Sequence, residues 1–170
     1  MNSTGFDEYV TTRYTALVRY GILLMGDHGH GEDLVQAALV KTYRAWDRLH
    51  PVGDPEAYTR RVMARAAWRA HRRLWLREVP SAPVPDSAGT DPYEARDTAD
   101  LVLRALRDLP ARQRVVLVLR YWAELSEEQI ARQLGCSPGT VKSRASRALA
   151  TLRAGSLAEL LDESALRRSG

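Results

Sequence analysis

Apolar residues along the first part of the chain recur three or four positions apart, the spacing that gathers side chains on one face of a helix. Phe6, Tyr9, Val10, Leu17, Val18 and Leu24 predict a helix from Phe6 to Met25, stopped by Gly26. Val35, Ala38, Leu39, Thr42, Tyr43, Trp46 and Leu49 predict a second from about Glu32 to Leu49, ended by Pro51 and Gly53. Asp54 as N-cap and Pro55 at the first helical position announce a third, running through AYTRRVMARAAWRAHRRLWLR.

The segment Ser126 to Leu152 predicts two more helices joined by a tight turn. Ser126 is an N-cap with Gln129 three residues on, a capping-box pattern, and Ile130, Ala131 and Leu134 form the buried stripe. Gly135 breaks that helix, Ser137 caps the next, and Pro138 opens it. At about 100° per residue, Val141, Ala145, Ala148, Leu149 and Leu152 share one side. Gly139, Ser143, Ser146 and Arg147 point the other way, flanked by Thr140 and Lys142. Small residues allow close approach to a groove, hydroxyls bond phosphates or base edges, and an arginine can grip guanine with two hydrogen bonds. Ser137, Gly139, Thr140, Lys142, Ser143, Ser146 and Arg147 are therefore candidate duplex-DNA contacts, against the plainer reading of a solvated face on a helical hairpin.

Charge separates the chain into blocks. The net charge is +4, but residues 1–77 carry 12 basic and 8 acidic side chains, residues 78–97 carry 1 and 5, and residues 98–153 carry 10 and 5. The middle block, with PSAPVPDSAGTDPYEARD, shows no apolar period and reads as a flexible acidic linker. The expected architecture is all-α: two small helical domains, residues 1–77 and 98–153, with residues 78–97 between them and a tail over 154–170. That tail is either a short amphipathic helix carrying Leu157, Leu160 and Leu161 or irregular.

The third helix interleaves Arg60, Arg61, Arg65, Arg69, Arg72 and Arg73 with Tyr58, Trp68 and Trp75. Arginines neutralise phosphate and exposed rings stack on unpaired bases, which suits single-stranded DNA; the alternative is that the rings seal a bundle core. On the second helix, Asp33, Gln36, Ala37 and Val40 fall opposite the core, leaving two apolar residues among charges, a mark of a protein interface. Asp27, His28, His30 and Asp33 resemble a metal cluster in composition only, because Gly26, Gly29 and Gly31 read as a flexible turn without ligand geometry. No metal and no other cofactor is expected. Cys136 is the only cysteine, so no disulfide forms within the chain, and no apolar run reaches the ~20 residues of a membrane span. No nucleophile and base pair or phosphate-cradling loop appears, so no enzyme is expected, and the compartment expected is the cytoplasm.

Three segments together resemble the bacterial sigma-70 family, in its extracytoplasmic-function (ECF) group and near the SigE-type members. They are LMGDHGHGEDLVQAALVKTYRAW (Leu24 to Trp46), PEAYTRRVMARAAWRAHRR (Pro55 to Arg73) and LPARQRVVLVLRYWAELSEEQIARQLGCSPGTVKSRASRAL (Leu109 to Leu149). The resemblance implies a non-enzymatic transcription initiation factor whose partners are core RNA polymerase, promoter DNA as duplex and as melted single strand, and an anti-sigma factor, with no membrane. It implies that Asp33, Gln36, Ala37 and Val40 dock on polymerase, and that the Pro55 to Arg73 helix recognises and melts the −10 element. Ser137 to Arg153 would read the −35 element, and Leu109 to Glu124 would meet the polymerase flap. The acidic linker would thread toward the RNA exit path. Arg65 and Arg69 stand where members often carry Asn and Asp, and Ala37 where Glu is common. The competing readings are a free-standing helix-turn-helix regulator and an adaptor whose basic faces bind acidic proteins.

Overall fold

The computed structural model describes residues 3–50, 52–76, 94–155 and 158, with side chains for residues 5–50, 52–70, 99–155 and 158. The linker from 78 to 93, the tail beyond Ala158, and the side chains of Arg72, Arg73 and Trp75 lie outside the described residues. Among the described residues the regular elements are all helical.

Helix α1 (Ser3–Met25) begins three residues earlier than the apolar pattern predicts and stops as expected at Gly26, which sits in the left-handed region at φ 83°. Helix α2 (His28–Arg44) departs more from expectation. It starts at His28, so the glycine-rich stretch is its first turn and not a flexible loop. Asp27 is the N-cap: one carboxylate oxygen accepts from the His30 backbone N–H at 2.8 Å and the other meets the His30 ring Nδ1 at 2.7 Å. Burial alone would raise the Asp27 pKa, but those bonds outweigh it and hold the carboxyl below the usual range.

Close approach explains Gly21 and Gly31. A Cβ on Gly31 would lie 2.7 Å from the Ile22 nitrogen, and one on Gly21 would lie 2.6 Å from the Gly31 carbonyl oxygen. Backbone therefore touches backbone where α1 crosses α2. The second predicted helix also breaks at Ala45, and a single turn, α3 (Trp46–Leu49), follows. This turn buries the Trp46 indole to 4% exposure, with the rings of Phe6 and Tyr9 at 5.2 and 5.4 Å.

Helix α4 (Pro55–Leu76) starts as the sequence predicts, with the Asp54 carboxylate accepting from the Ala57 N–H at 3.0 Å. It closes the first unit by packing Met63, Ala64 and Ala67 on Leu17 and Leu24 of α1 and Val35 and Ala38 of α2. The two buried threonines inside are paired. Thr59 bonds Thr42 at 2.8 Å and receives the Tyr9 hydroxyl at 2.9 Å, which offsets the cost of burying them.

The second unit holds α5 (Glu94–Arg107), α6 (Ala111–Leu117), a π-helical turn (Val118–Trp122), α7 (Glu127–Leu134) and α8 (Pro138–Ala154). Helix α5 begins inside the segment read as linker. Its start cannot be heard in an apolar period because Glu94 to Asp100 are mostly polar. Val115, Val116 and Leu119 pack with Ile130, Val141, Ala145 and Ala148. The two units are not held apart: α6 packs on α1 and α4, α4 on α7, and the apolar core runs through both.

Candidate nucleic-acid interface

Local capping shapes the helix-turn-helix. The Ser126 hydroxyl accepts from the Gln129 N–H at 3.2 Å while the Gln129 side chain accepts from the Ser126 N–H at 2.8 Å, so both arms of the capping box are made. Gly135 ends α7 at φ 69°, a left-handed conformation that costs glycine nothing and other residues about 1–2 kcal/mol. The Ser137 hydroxyl then accepts from the Thr140 N–H at 3.1 Å, with Pro138 in the first turn of α8.

That geometry turns one face of α8 outward. Ser137, Gly139, Lys142, Ser143, Ser146 and Arg147 are exposed and Thr140 is half-buried, while Val141, Ala145 and Ala148 are buried beneath. The predicted seven are thus brought to one surface, and the turn between α7 and α8 leaves it unobstructed by its own unit. Cys136 sits in that turn, half-buried; burial pushes its thiol upward, opposed by the nearby Arg144 and Arg112.

The α4 candidates divide. Arg61, Arg65 and Arg69 are exposed and Tyr58 is half-buried. Arg60 is held inside its own unit, 2.6 Å from the Glu56 carboxylate and 5.5 Å above the Tyr20 ring. Trp68 is 8% exposed, with the guanidinium groups of Arg112 and Arg144 at 5.0 and 5.5 Å from its ring. Arg65 donates from Nε to the Gln133 carbonyl at 2.9 Å. The backbone places Arg72 and Arg73 on the same helix; their side chains lie outside the described residues.

Asp33, Gln36, Ala37 and Val40 are all exposed on α2, Val40 to 52%, and make one continuous face with Lys41 and Arg44. The sequence pattern missed Arg107, Arg112, Arg114 and Arg144. Arg114, only 6% exposed, donates to the Leu24 carbonyl, and Arg107 donates to that of Gly26. One signal was available for Arg114: it falls among buried positions of α6, next to Val115 and Val116, where a charge breaks the pattern.

The family models agree with this two-part layout. Residues 6–77 match Sigma-70 region 2 and residues 99–152 match Sigma-70, region 4. The chain is 42% identical over 166 residues to the RNA polymerase sigma-E factor of Streptomyces coelicolor, covering 96% of this chain and 92% of that one. The chain belongs to the sigma-70 family. Its place in the ECF group follows from a 31% identity over 156 residues with the ECF RNA polymerase sigma factor SigL of Mycobacterium tuberculosis, covering 87% and 84% of the two chains. The fold of this sigma factor is similar to that of RpoE from Bartonella quintana, solved in complex with the anti-sigma factor NepR. The TM-score is 0.55 at 28% identity, over 88% of this sigma factor and 94% of that chain.

Proposed function

We propose that this sigma factor binds core RNA polymerase and directs it to particular promoters, with the residues divided as follows. The outward face of α8, carrying Ser137, Gly139, Thr140, Lys142, Ser143, Ser146 and Arg147, reads the −35 element in the major groove. Helix α4 recognises and melts the −10 element through Tyr58, Arg60, Arg61, Arg65, Trp68, Arg69, Arg72 and Arg73. The α2 face of Asp33, Gln36, Ala37 and Val40 docks on polymerase. Residues 1–77 and 98–153 act as the two working units, and residues 78–97 join them.

The observation that carries this reading is the capped α8 with small, hydroxyl and basic side chains exposed on one side and an apolar stripe buried on the other. A recognition helix needs that division, because the groove admits a helix only where no bulky side chain keeps it out. The α2 face supports the second half of the reading: a solvent-facing valine among charges, on a helix whose other side is fully packed, suits a protein partner better than DNA. Bond-making chemistry falls to the polymerase, and the factor works where polymerase is, in the cytoplasm. An anti-sigma factor is a further proposed partner, by likeness to the NepR complex.

The test is reconstituted transcription. Purified factor added to core polymerase on a genomic fragment library should start transcripts at a defined set of sites sharing two sequence elements. Start sites unchanged from core polymerase alone would overturn the reading.

A further inference from the structure

Arg112 of α6 and Arg144 of α8 stand together beside the turn between α7 and α8. Both charges reach the Cys136 thiol in that turn, and both guanidinium groups lie over the Trp68 ring, at 5.0 and 5.5 Å. Each side chain is half-buried. Burial first, and then the charges of Arg112 and Arg147, pull the Arg144 pKa below its usual value, with the Cys136 thiol opposing. Among the described residues the buried Nε of Arg144 finds no hydrogen-bond partner. Like charges gathered around an unpaired donor repel one another, and an anion would relieve both costs.

The place of Arg144 on α8 decides which anion. Helical neighbours three and four positions apart put it next to Thr140 and Arg147, on the flank between the outward face and the buried stripe. A helix about 10–12 Å across fills a major groove about 12 Å wide, so its flank meets the phosphate ridge of one strand while its outward face meets the bases. Arg112 brings a second cation to that flank from another element. A guanidinium lying over an aromatic ring spends its face and keeps its N–H edge, the part that grips a phosphate. Both arginines belong to the second unit, so the pair keeps its place relative to α8.

We propose that Arg112 and Arg144 form a phosphate clasp: together they hold one backbone phosphate at the edge of the groove that α8 enters, and so set the roll of that helix against the bases. They are positioning residues and read no sequence themselves. The clasp rests on the reading that α8 meets the −35 element, and the experiment separates the two.

Holoenzyme is titrated by fluorescence anisotropy against labelled promoter duplexes in which one −35 phosphate at a time is replaced by an uncharged methylphosphonate. One replacement at the groove edge should weaken wild-type binding about tenfold, the loss of a charge-assisted hydrogen bond. Arg112→Gln with Arg144→Gln should bind the unmodified duplex about tenfold more weakly and be indifferent to that same replacement, while other replacements still weaken it. Its salt slope should fall by about 0.9, one phosphate's share. Arg112→Lys with Arg144→Lys keeps both charges and should retain the slope and the sensitivity. Equal losses for both pairs, at every phosphate alike, would mark the arginines as packing residues and overturn the clasp. It would also be overturned if inorganic phosphate raised the melting temperature of wild type but not of the glutamine pair while no methylphosphonate told them apart, since the site would then hold a free anion. The underlying reading has its own readout. If no −35 replacement, and neither Arg147→Ala nor Lys142→Ala, changed binding, α8 would not be in the groove, whatever the two arginines did.

Discussion

Arg114 donates from Nε to the carbonyl oxygen of Leu24 at 3.1 Å, joining positions 90 residues apart, and a second N–H of the same guanidinium meets the Leu106 carbonyl at 3.4 Å. Burial pulls its pKa down, and the charge of Asp27 pushes the other way. A buried cation satisfied by backbone oxygens is costly to truncate, because its partners are left unpaired.

Arg114→Met should therefore lower stability by about 2 kcal/mol although it adds apolar surface to an apolar site. Urea unfolding monitored by circular dichroism checks this, and an equal or raised midpoint would show that the guanidinium bonds contribute nothing net.

Glycines at two places should answer the same substitution with opposite signs. Gly31→Ala pushes a methyl into the Ile22 backbone and should cost about 2 kcal/mol. Gly139→Ala meets nothing nearer than the Ser137 hydroxyl at 3.9 Å and should gain up to about 1 kcal/mol from helix propensity. It should also weaken −35 duplex binding, if close approach of α8 to the groove needs a bare backbone there. Thermal melts and a duplex titration read both effects.

The α2 cap gives a pH dependence. Because the folded Asp27 pKa lies below its unfolded value, its charge-dependent stabilisation is present above the unfolded pKa of about 3.9 and is lost as pH falls through the folded value. Asp27→Ala should cost about 1 kcal/mol at neutral pH. The gap from wild type should narrow below about pH 4, and Asp27→Asn should be flatter with pH than wild type over the same range. Melting curves at stepped pH decide it; a gap constant down to pH 2 would assign the cap to its neutral hydrogen bond alone.

Substituting Val40 by Asp, with Gln36 by Lys, should weaken core-polymerase binding by at least about tenfold, since a central apolar contact is worth more than about 1 kcal/mol. Stability should move by less than about 0.5 kcal/mol, because both side chains are exposed. A titration against labelled core polymerase and a thermal melt separate docking from folding.

On α8, Arg147→Ala should cost about 1–3 kcal/mol of promoter binding and relax preference at one −35 position. Lys142→Ala should weaken all sequences alike and reduce the salt slope by about one unit. Competition between duplexes at several salt concentrations tells them apart; identical, sequence-independent losses would assign Arg147 to phosphate.

The helix-turn-helix was legible almost residue by residue because its signals are local. A cap, its partner three residues on, a glycine and a proline fall within a dozen positions, and the hydrogen bonds they make never leave that stretch. The outward face of α2 was legible for the same reason, since helical period alone separates Asp33, Gln36, Ala37 and Val40 from Leu34, Val35 and Ala38. What stayed hidden depends on distant partners. Gly31 looks like a breaker until Gly21 and Ile22 of another helix are seen to need its missing side chain. Helical period leaves Trp68 open between a stacking platform and a ring that seals the core, the second being the commoner use of such a ring, until Arg112 and Arg144, more than forty positions away, are found beside it.

The meeting of Gly21 and Gly31 reaches beyond stability. Where backbone rests on backbone, no side chain between the helices can change rotamer to let one of them shift, so α2 is held as a rigid plate whose outer surface is the Asp33 to Val40 face. A partner meeting that plate spends little free energy on ordering it, and its shape must be complementary from the first encounter. Binding there should be quick to form and intolerant of a reshaped partner, the behaviour of a key cut in advance rather than of a surface that moulds itself on contact.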